Sequence, residues 1–209
     1  MKSKRKRIPS SSVYAVIDRE VCARKTLTSI ARGCIKGGVK IIQLRDKTEN
    51  ISRFYSDALM LRKIIGREAL FIINDRADIA KLVAADGLHL GQDDIPIKPA
   101  RGLLGSEAII GKSCHSLKQA ISAEEEGADY ISIGPIFSTP TKPDYKAVGL
   151  KLLRKVQGCI QIPIVAIGGI NKDTISLVRK TGARYSAVVR ALCGARNTVQ
   201  ALKELGCYL

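Results

Sequence analysis

Eight short apolar runs, separated by segments with helical spacing, constrain this chain more than any other feature. They are Val13–Ile17, Val39–Leu44, Leu70–Ile73, Gly87–Leu90, Ile109–Gly111, Tyr130–Ile133, Ile164–Ile167 and Ala187–Val189. All are rich in Ile and Val, as strands buried on both faces are. Between them, Leu59, Ile64 and Ile65 share a helical face, as do Ile79, Leu82 and Val83, and Leu117, Ala120, Ile121 and Ala123. Leu150–Val156, Ile175–Val178 and Thr198–Leu205 continue the pattern, and Gly127, Gly158 and Gly182 fall where a left-handed residue would close a helix.

Strands alternating with helices every 20–25 residues or so imply right-handed βαβ units and a parallel sheet. Eight of them in 209 residues predict an α/β chain closed as a (β/α)8 TIM barrel. A doubly wound open sheet is the alternative, but no strand-linked G-x-G-x-x-G anchors it. The expected organisation is one barrel domain over 13–209, preceded by a basic, flexible arm over 1–12.

The formal charge of +16 points to an anionic partner: nucleic acid, anionic lipid or a phosphorylated substrate. Five of the 35 basic residues lie in Met1–Arg7, so the rest of the chain still carries +11. Three Phe, six Tyr and no Trp leave little for stacking on single-stranded nucleic acid. No run approaches the ~18 apolar residues of a membrane span, and no apolar segment follows the basic N-terminus as in a secretory signal. Six cysteines without a C-x-x-C pair suit reduced thiols in a cytoplasm better than a disulfide framework.

In such a barrel the active site gathers at the C-terminal ends of the strands. The second run ends in Gln43-Leu44-Arg45-Asp46-Lys47, where alternation sends Gln43, Arg45 and Lys47 to one side, a grouping suited to a diphosphate or to a solvated strand exit. Asp75 and Asp94 follow neighbouring runs and could share Mg²⁺, although either alone would read as a helix cap. His89 reads as a satisfied core histidine. Cys114-His115 is a poor catalytic pair because adjacent side chains diverge, whereas Ser113 suits a strand-end hydrogen-bond donor and Ser116 a helix cap. The Gly134–Pro143 segment, rich in hydroxyls and proline, reads as a substrate lid or a crossover loop. Gly168-Gly169 and Val189-Arg190 follow the seventh and eighth runs, where barrels of this kind cradle phosphate.

Taken in order, Y-A-V-I-D, Q-L-R-D-K, N-D-R-A-D-I-A, G-L-H-L-G-Q-D-D, G-P-I-F-S-T-P-T-K and A-I-G-G-I-N resemble the segments of thiamine phosphate synthases. The resemblance implies a transferase that joins a pyrimidine diphosphate to a thiazole phosphate, with Mg²⁺ as cofactor and small phosphorylated heterocycles as partners. It implies that Gln43, Leu44, Arg45, Asp46, Lys47, Asn74, Ser113 and Lys142 hold the pyrimidine diphosphate, Arg45, Lys47 and Lys142 being catalytic. Asp75 and Asp94 would bind the metal. Thr139, Pro140, Thr141, Gly169, Val189 and Arg190 would bind the thiazole phosphate.

Arg190 stands where the family usually has Ser. It would either grip the phosphate as a bidentate donor or point outward, leaving backbone groups to do so. A paralogous branch resembling thiazole tautomerases usually lacks the metal-binding acids and carries His at the position of Ser113, so the residues present favour the synthase. A basic nucleic-acid-binding module is the reading from another class, and a homo-oligomer is left open.

Overall fold

Each of the eight runs becomes a strand, and the strands close into the expected TIM barrel. The computed structural model describes residues 8–9, 13–22, 26–141 and 146–207. Its elements in chain order are β1 (Val13–Asp18), α1 (Leu27–Lys36), β2 (Ile41–Arg45), α2 (Ile51–Ile65), β3 (Leu70–Asn74), α3 (Ala77–Leu82), β4 (Gly87–Leu90), α4 (Ile97–Leu104), β5 (Ile109–Cys114), α5 (Leu117–Glu125), β6 (Tyr130–Ile133), α6 (Gly149–Gln157), β7 (Ile164–Ile167), α7 (Ile175–Arg179), β8 (Tyr185–Val188), α8 (Arg190–Cys193) and α9 (Thr198–Glu204). All strand pairs are parallel and follow sequence order, and β1 joins β8 in the register Val13 to Ser186, Tyr14 to Ala187 and Ala15 to Val188.

Boundaries move where the backbone has other work. The second strand begins at Ile41 rather than Val39, because Gly38 turns at φ 75° and the Val39 N–H still bonds Cys34 O at the exit of α1. The eighth begins two residues earlier than the apolar run, since Tyr185 fills the barrel interior. Gly127 and Gly182 have φ of 87°, as expected after a helix, but Gly158 is right-handed at φ −79°. There the turn closes through Val156 O, which accepts from both Cys159 and Ile160 N–H.

Alternation along the strands divides the apolar residues into two cores. Tyr14, Val16, Ile41, Ile72, Ile109, Tyr130, Val165, Tyr185 and Ala187 face the barrel axis, and Ile8 from the N-terminal arm packs against them. The opposite set, including Ala15, Ile17, Ile42, Leu44, Ile73, Leu88 and Ile131, meets the helices. Gly111 is required by this packing, because a side chain there would run into the ring of Tyr130. Leu82 and Ile121, expected on buried helix faces, are instead 66% and 39% exposed.

Two matching clamps sit at the N-terminal ends of the strands. Asp86, just before β4, accepts from the Phe71 N–H of β3 at 2.9 Å and from Arg62 of α2 at 2.7 Å. Asp129, just before β6, accepts from the Ile110 N–H of β5 at 2.8 Å and from Arg101 of α4 at 2.6 Å. Each carboxylate ties a helix to a strand and satisfies a buried backbone donor.

The expectation of six reduced thiols is not met. Cys22, after β1, and Cys193, in α8, form a disulfide with Cα atoms 4.7 Å apart, while Cys34, Cys114, Cys159 and Cys207 are outside any disulfide. Barrel closure brings the ends of β1 and β8 together across 171 residues of sequence, which spacing alone does not reveal.

Candidate active site

Inward positions change from apolar to polar toward the C-terminal ends of the strands, and there a cavity of about 270 Å³ opens. Gln43, Arg45, Asn74, Ser113, Thr139, Pro140, Thr141, Gly169, Val189 and Arg190 all line it. Strand alternation is the cause for Gln43 and Arg45, which share the interior side of β2 with Ile41. Leu44 lies on the other side, fully buried in the core beneath the helices.

The cavity floor is a connected set of buried polar side chains. Gln43 Nε2 donates to Tyr14 Oη at 2.8 Å, and Tyr14 Oη lies 2.9 Å from Tyr130 Oη. Tyr130 Oη is 2.8 Å from His89 Nδ1, whose Nε2 is 2.9 Å from Ser113 Oγ. The His89 and Tyr130 rings stack with centroids 5.3 Å apart. Burial pushes both tyrosine hydroxyls well above their ordinary range, so they stay protonated. His89 is therefore the satisfied core histidine the sequence suggested, and it also lines the cavity.

Cationic and acidic groups crowd one rim. Arg45 is bound by Asp18, whose other carboxylate oxygen accepts from the N–H groups of Glu20 and Val21 at 3.0 and 3.1 Å. Lys47 pairs with Asp75. Asp75 holds a left-handed backbone at φ 61°, locked by its N–H bond to His89 O at 2.8 Å, and its carboxyl hydrogen-bonds Asp94. Burial first, and then the bond to Asp94, push Asp75 up to about 6 against the pull of Lys47. Burial also works to raise Asp94, but the bond from Asp75, the Gly91 N–H at 2.6 Å and the cations Lys47 and Lys112 overcome it and leave its carboxyl below the usual range. Neither acid caps a helix: α3 starts without a side-chain cap, and Asp94 closes the turn after β4.

Two carboxyl groups in direct contact stay together only by sharing a proton or a cation. With the remaining positions filled by water and substrate oxygens, that donor set fits Mg²⁺. Asp46 accepts from the Thr48 N–H at 2.8 Å with one oxygen and, like Lys47, Asp75 and Asp94, is not among the residues that line the cavity. Lys142 lies outside the described residues, as do residues 1–7 and 10–12 of the arm.

The opposite rim joins two loops. Ile136 and Phe137 N–H groups donate to Ile167 O and Gly168 O at 2.8 and 3.1 Å. Gly168 and Gly169 take φ of 101° and 64°, and a side chain at either would strike Pro135 or Phe137. The paired glycines thus let the hydroxyl-rich loop lie against the end of β7, and no helix begins there until Ile175. Arg190, exposed, donates from Nε to Thr141 Oγ1 at 3.1 Å and bridges this loop to β8.

Cys114 is fully buried and its thiol is pushed up to about 12 by burial, while His115 Nδ1 bonds Gly134 O, so the two form no catalytic pair. Ser116 caps α5 as expected, accepting from the Gln119 N–H at 3.2 Å. Tyr14, Tyr130, Ser132 and Asp18 are site residues the sequence reading missed. The signal for three of them was present as a polar group at an inward position of an apolar run.

A family model described as thiamine monophosphate synthase matches residues 13–192. A thiamine-phosphate synthase of Syntrophomonas wolfei is 46% identical over 188 residues, covering 89% of this chain and 90% of that protein. One of Clostridium acetobutylicum is 42% identical over 186 residues, covering 88% of each. The structure of a thiamine phosphate pyrophosphorylase from Pyrococcus furiosus superposes with a TM-score of 0.85 at 38% identity, covering 94% of both chains. Match length, sequence identity and barrel agree, and the chain belongs to the thiamine monophosphate synthase family of transferase enzymes.

Proposed function

We propose that the chain condenses 4-amino-2-methyl-5-(diphosphomethyl)pyrimidine with 4-methyl-5-(2-phosphoethyl)thiazole, or its carboxylated form, to give thiamine phosphate and diphosphate. The observation that carries this reading is one cavity with a hydrogen-bonding floor, lined by Arg45 and Asn74 on one side and by Thr139, Thr141 and Arg190 on the other, with the Asp75–Asp94 contact directly following Asn74. A flat heterocycle fits the floor, and two anionic groups fit the two rims.

The substitution is dissociative. The bond between the methylene carbon and the diphosphate oxygen breaks, its electron pair leaves with diphosphate, and the pyrimidine amino group stabilises the cation. The thiazole nitrogen then supplies the pair for the new C–N bond, so no protein nucleophile or base is needed. Arg45 and Lys47 stand where charge accumulates on the leaving group, and Asp18 keeps the Arg45 guanidinium in place. Mg²⁺ held by Asp75 and Asp94 would add charge neutralisation at the departing diphosphate. By resemblance Lys142 joins them.

The test is incubation with both heterocycles, with and without Mg²⁺, followed by assay of thiamine phosphate and diphosphate. Asp75→Ala should lower turnover by about two orders of magnitude or more, and near-normal turnover would sink the assignment. The Asp75–Asp94 pair, with Ser113 in place of a histidine, favours this reading over a tautomerase.

A further inference from the structure

We infer that the buried floor is a one-way hydrogen-bond relay that makes Ser113 an obligatory donor to the substrate ring, with Tyr14, Tyr130 and His89 as positioning residues. The inference rests on the proposed function only for the identity of the ring.

Direction follows from where each proton can go. Gln43 Nε2 donates to Tyr14 Oη, so Tyr14 accepts there and its own proton needs another acceptor. Tyr14 is 2% exposed and Tyr130 Oη, 2.9 Å away, is that acceptor. If Tyr130 donated to Tyr14 instead, the Tyr14 proton would be buried without a partner, a cost of about 1–3 kcal/mol. Tyr130 therefore spends its proton on His89 Nδ1. A neutral imidazole that accepts at Nδ1 carries its proton on Nε2, which donates to Ser113 Oγ at 2.9 Å.

Ser132 closes the remaining freedom. Its Oγ also lies 3.3 Å from His89 Nε2, which in this tautomer can only donate to it, so the Ser132 proton goes to Ser113 Oγ at 3.4 Å; Ser113 then accepts from two neighbours and has only its proton left to offer. At the far end, Gln43 has one N–H committed to Tyr14 and keeps its carbonyl oxygen for a ligand. The cavity thus offers an acceptor on β2 and a donor on β5, three strands apart around the barrel. That pair selects an aromatic ring bearing an exocyclic amino group toward Gln43 and an unprotonated ring nitrogen toward Ser113. A ring whose nitrogen carries a proton meets a donor facing a donor and is refused.

The relay is tested first without substrate. In the ¹⁵N-labelled protein, long-range ¹H–¹⁵N correlations should show His89 protonated on Nε2, with His115 as the only other histidine to assign. In Gln43→Glu, at a pH where the new carboxyl is ionised, confirmed by its ¹³C carboxyl shift, it can only accept, every bond in the chain reverses, and the His89 proton should move to Nδ1. A wild-type His89 protonated on Nδ1, or one unmoved by Gln43→Glu, would overturn the relay whatever the enzyme's substrates are. Kinetics then read its consequence: Tyr130→Phe should raise KM for the pyrimidine diphosphate about tenfold while leaving KM for the thiazole phosphate unchanged. An equal rise in both would show a general packing role and count against the proposal. The expected tautomers with no binding of either heterocycle would leave the relay standing and defeat the proposed function instead.

Discussion

If Asp75 and Asp94 hold Mg²⁺ as proposed, their contact makes that binding a competition with a proton, and its size can be worked out. Burial and the neighbouring carboxyl place Asp75 at about 6, above the ordinary aspartate value of ~3.9. At about pH 7.5 roughly 3% of the sites carry the competing proton, and at about pH 5 roughly 90% do, so the apparent Mg²⁺ dissociation constant should rise about tenfold between them. The sign is fixed: a raised carboxyl is neutral below its midpoint, and affinity is lost as pH falls through 6. Calorimetric titration of Mg²⁺ into the substrate-free protein is the appropriate assay, because diphosphate itself titrates in this range. Lys47→Met removes the cation that pulls Asp75 down, so its loss of affinity should begin at higher pH. Equal constants at the two pH values, or a midpoint near the ordinary aspartate value, would refute the coupling.

Asp129→Ala strands the buried Ile110 N–H, at about 1–3 kcal/mol, and breaks a partly exposed pair with Arg101 that adds under ~1 kcal/mol. At about 2–4 °C per kcal/mol for a chain of this size, Tm should fall by about 5–10 °C with activity per folded molecule unchanged, and a fall under ~2 °C in scanning calorimetry would contradict the clamp. Asp86→Ala should behave alike. Thiol titration of the denatured, unreduced protein should find four reactive thiols, and six would show that Cys22 and Cys193 are not joined. Arg190→Ser should raise KM for the thiazole phosphate several-fold, by freeing Thr141, and leave KM for the pyrimidine diphosphate alone; steady-state kinetics with each substrate varied in turn decides it.

The strands were legible because Ile and Val runs survive any reading frame of burial: both faces of each strand are covered, so the whole run is apolar. Three helices were not, α1, α4 and the four-residue α8. The α4 sequence contains Pro99 and Gly102, and α1 contains Gly33, residues that argue against a helix locally. Gly33 is there because Thr198 of α9 packs against it, a contact across the closed barrel. The rim was legible for the same reason as the strands, since polar residues at strand ends stand out against apolar runs. The floor was not: Tyr14 and Tyr130 read as members of apolar runs, and their bond joins positions 116 residues apart. Asp18 was equally hidden, because its meaning lies in Arg45 on the next strand.

The twin clamps of Asp86 and Asp129 lie at the opposite ends of the strands from the cavity. These two ties between helix and strand are thereby separated from the rim, and the rim can change without disturbing them. Arg190 belongs to that rim: it is exposed and its bond to Thr141 joins only rim loops. A substitution at the rim and one at a clamp should therefore be separable in effect, the first read in kinetics and the second in Tm.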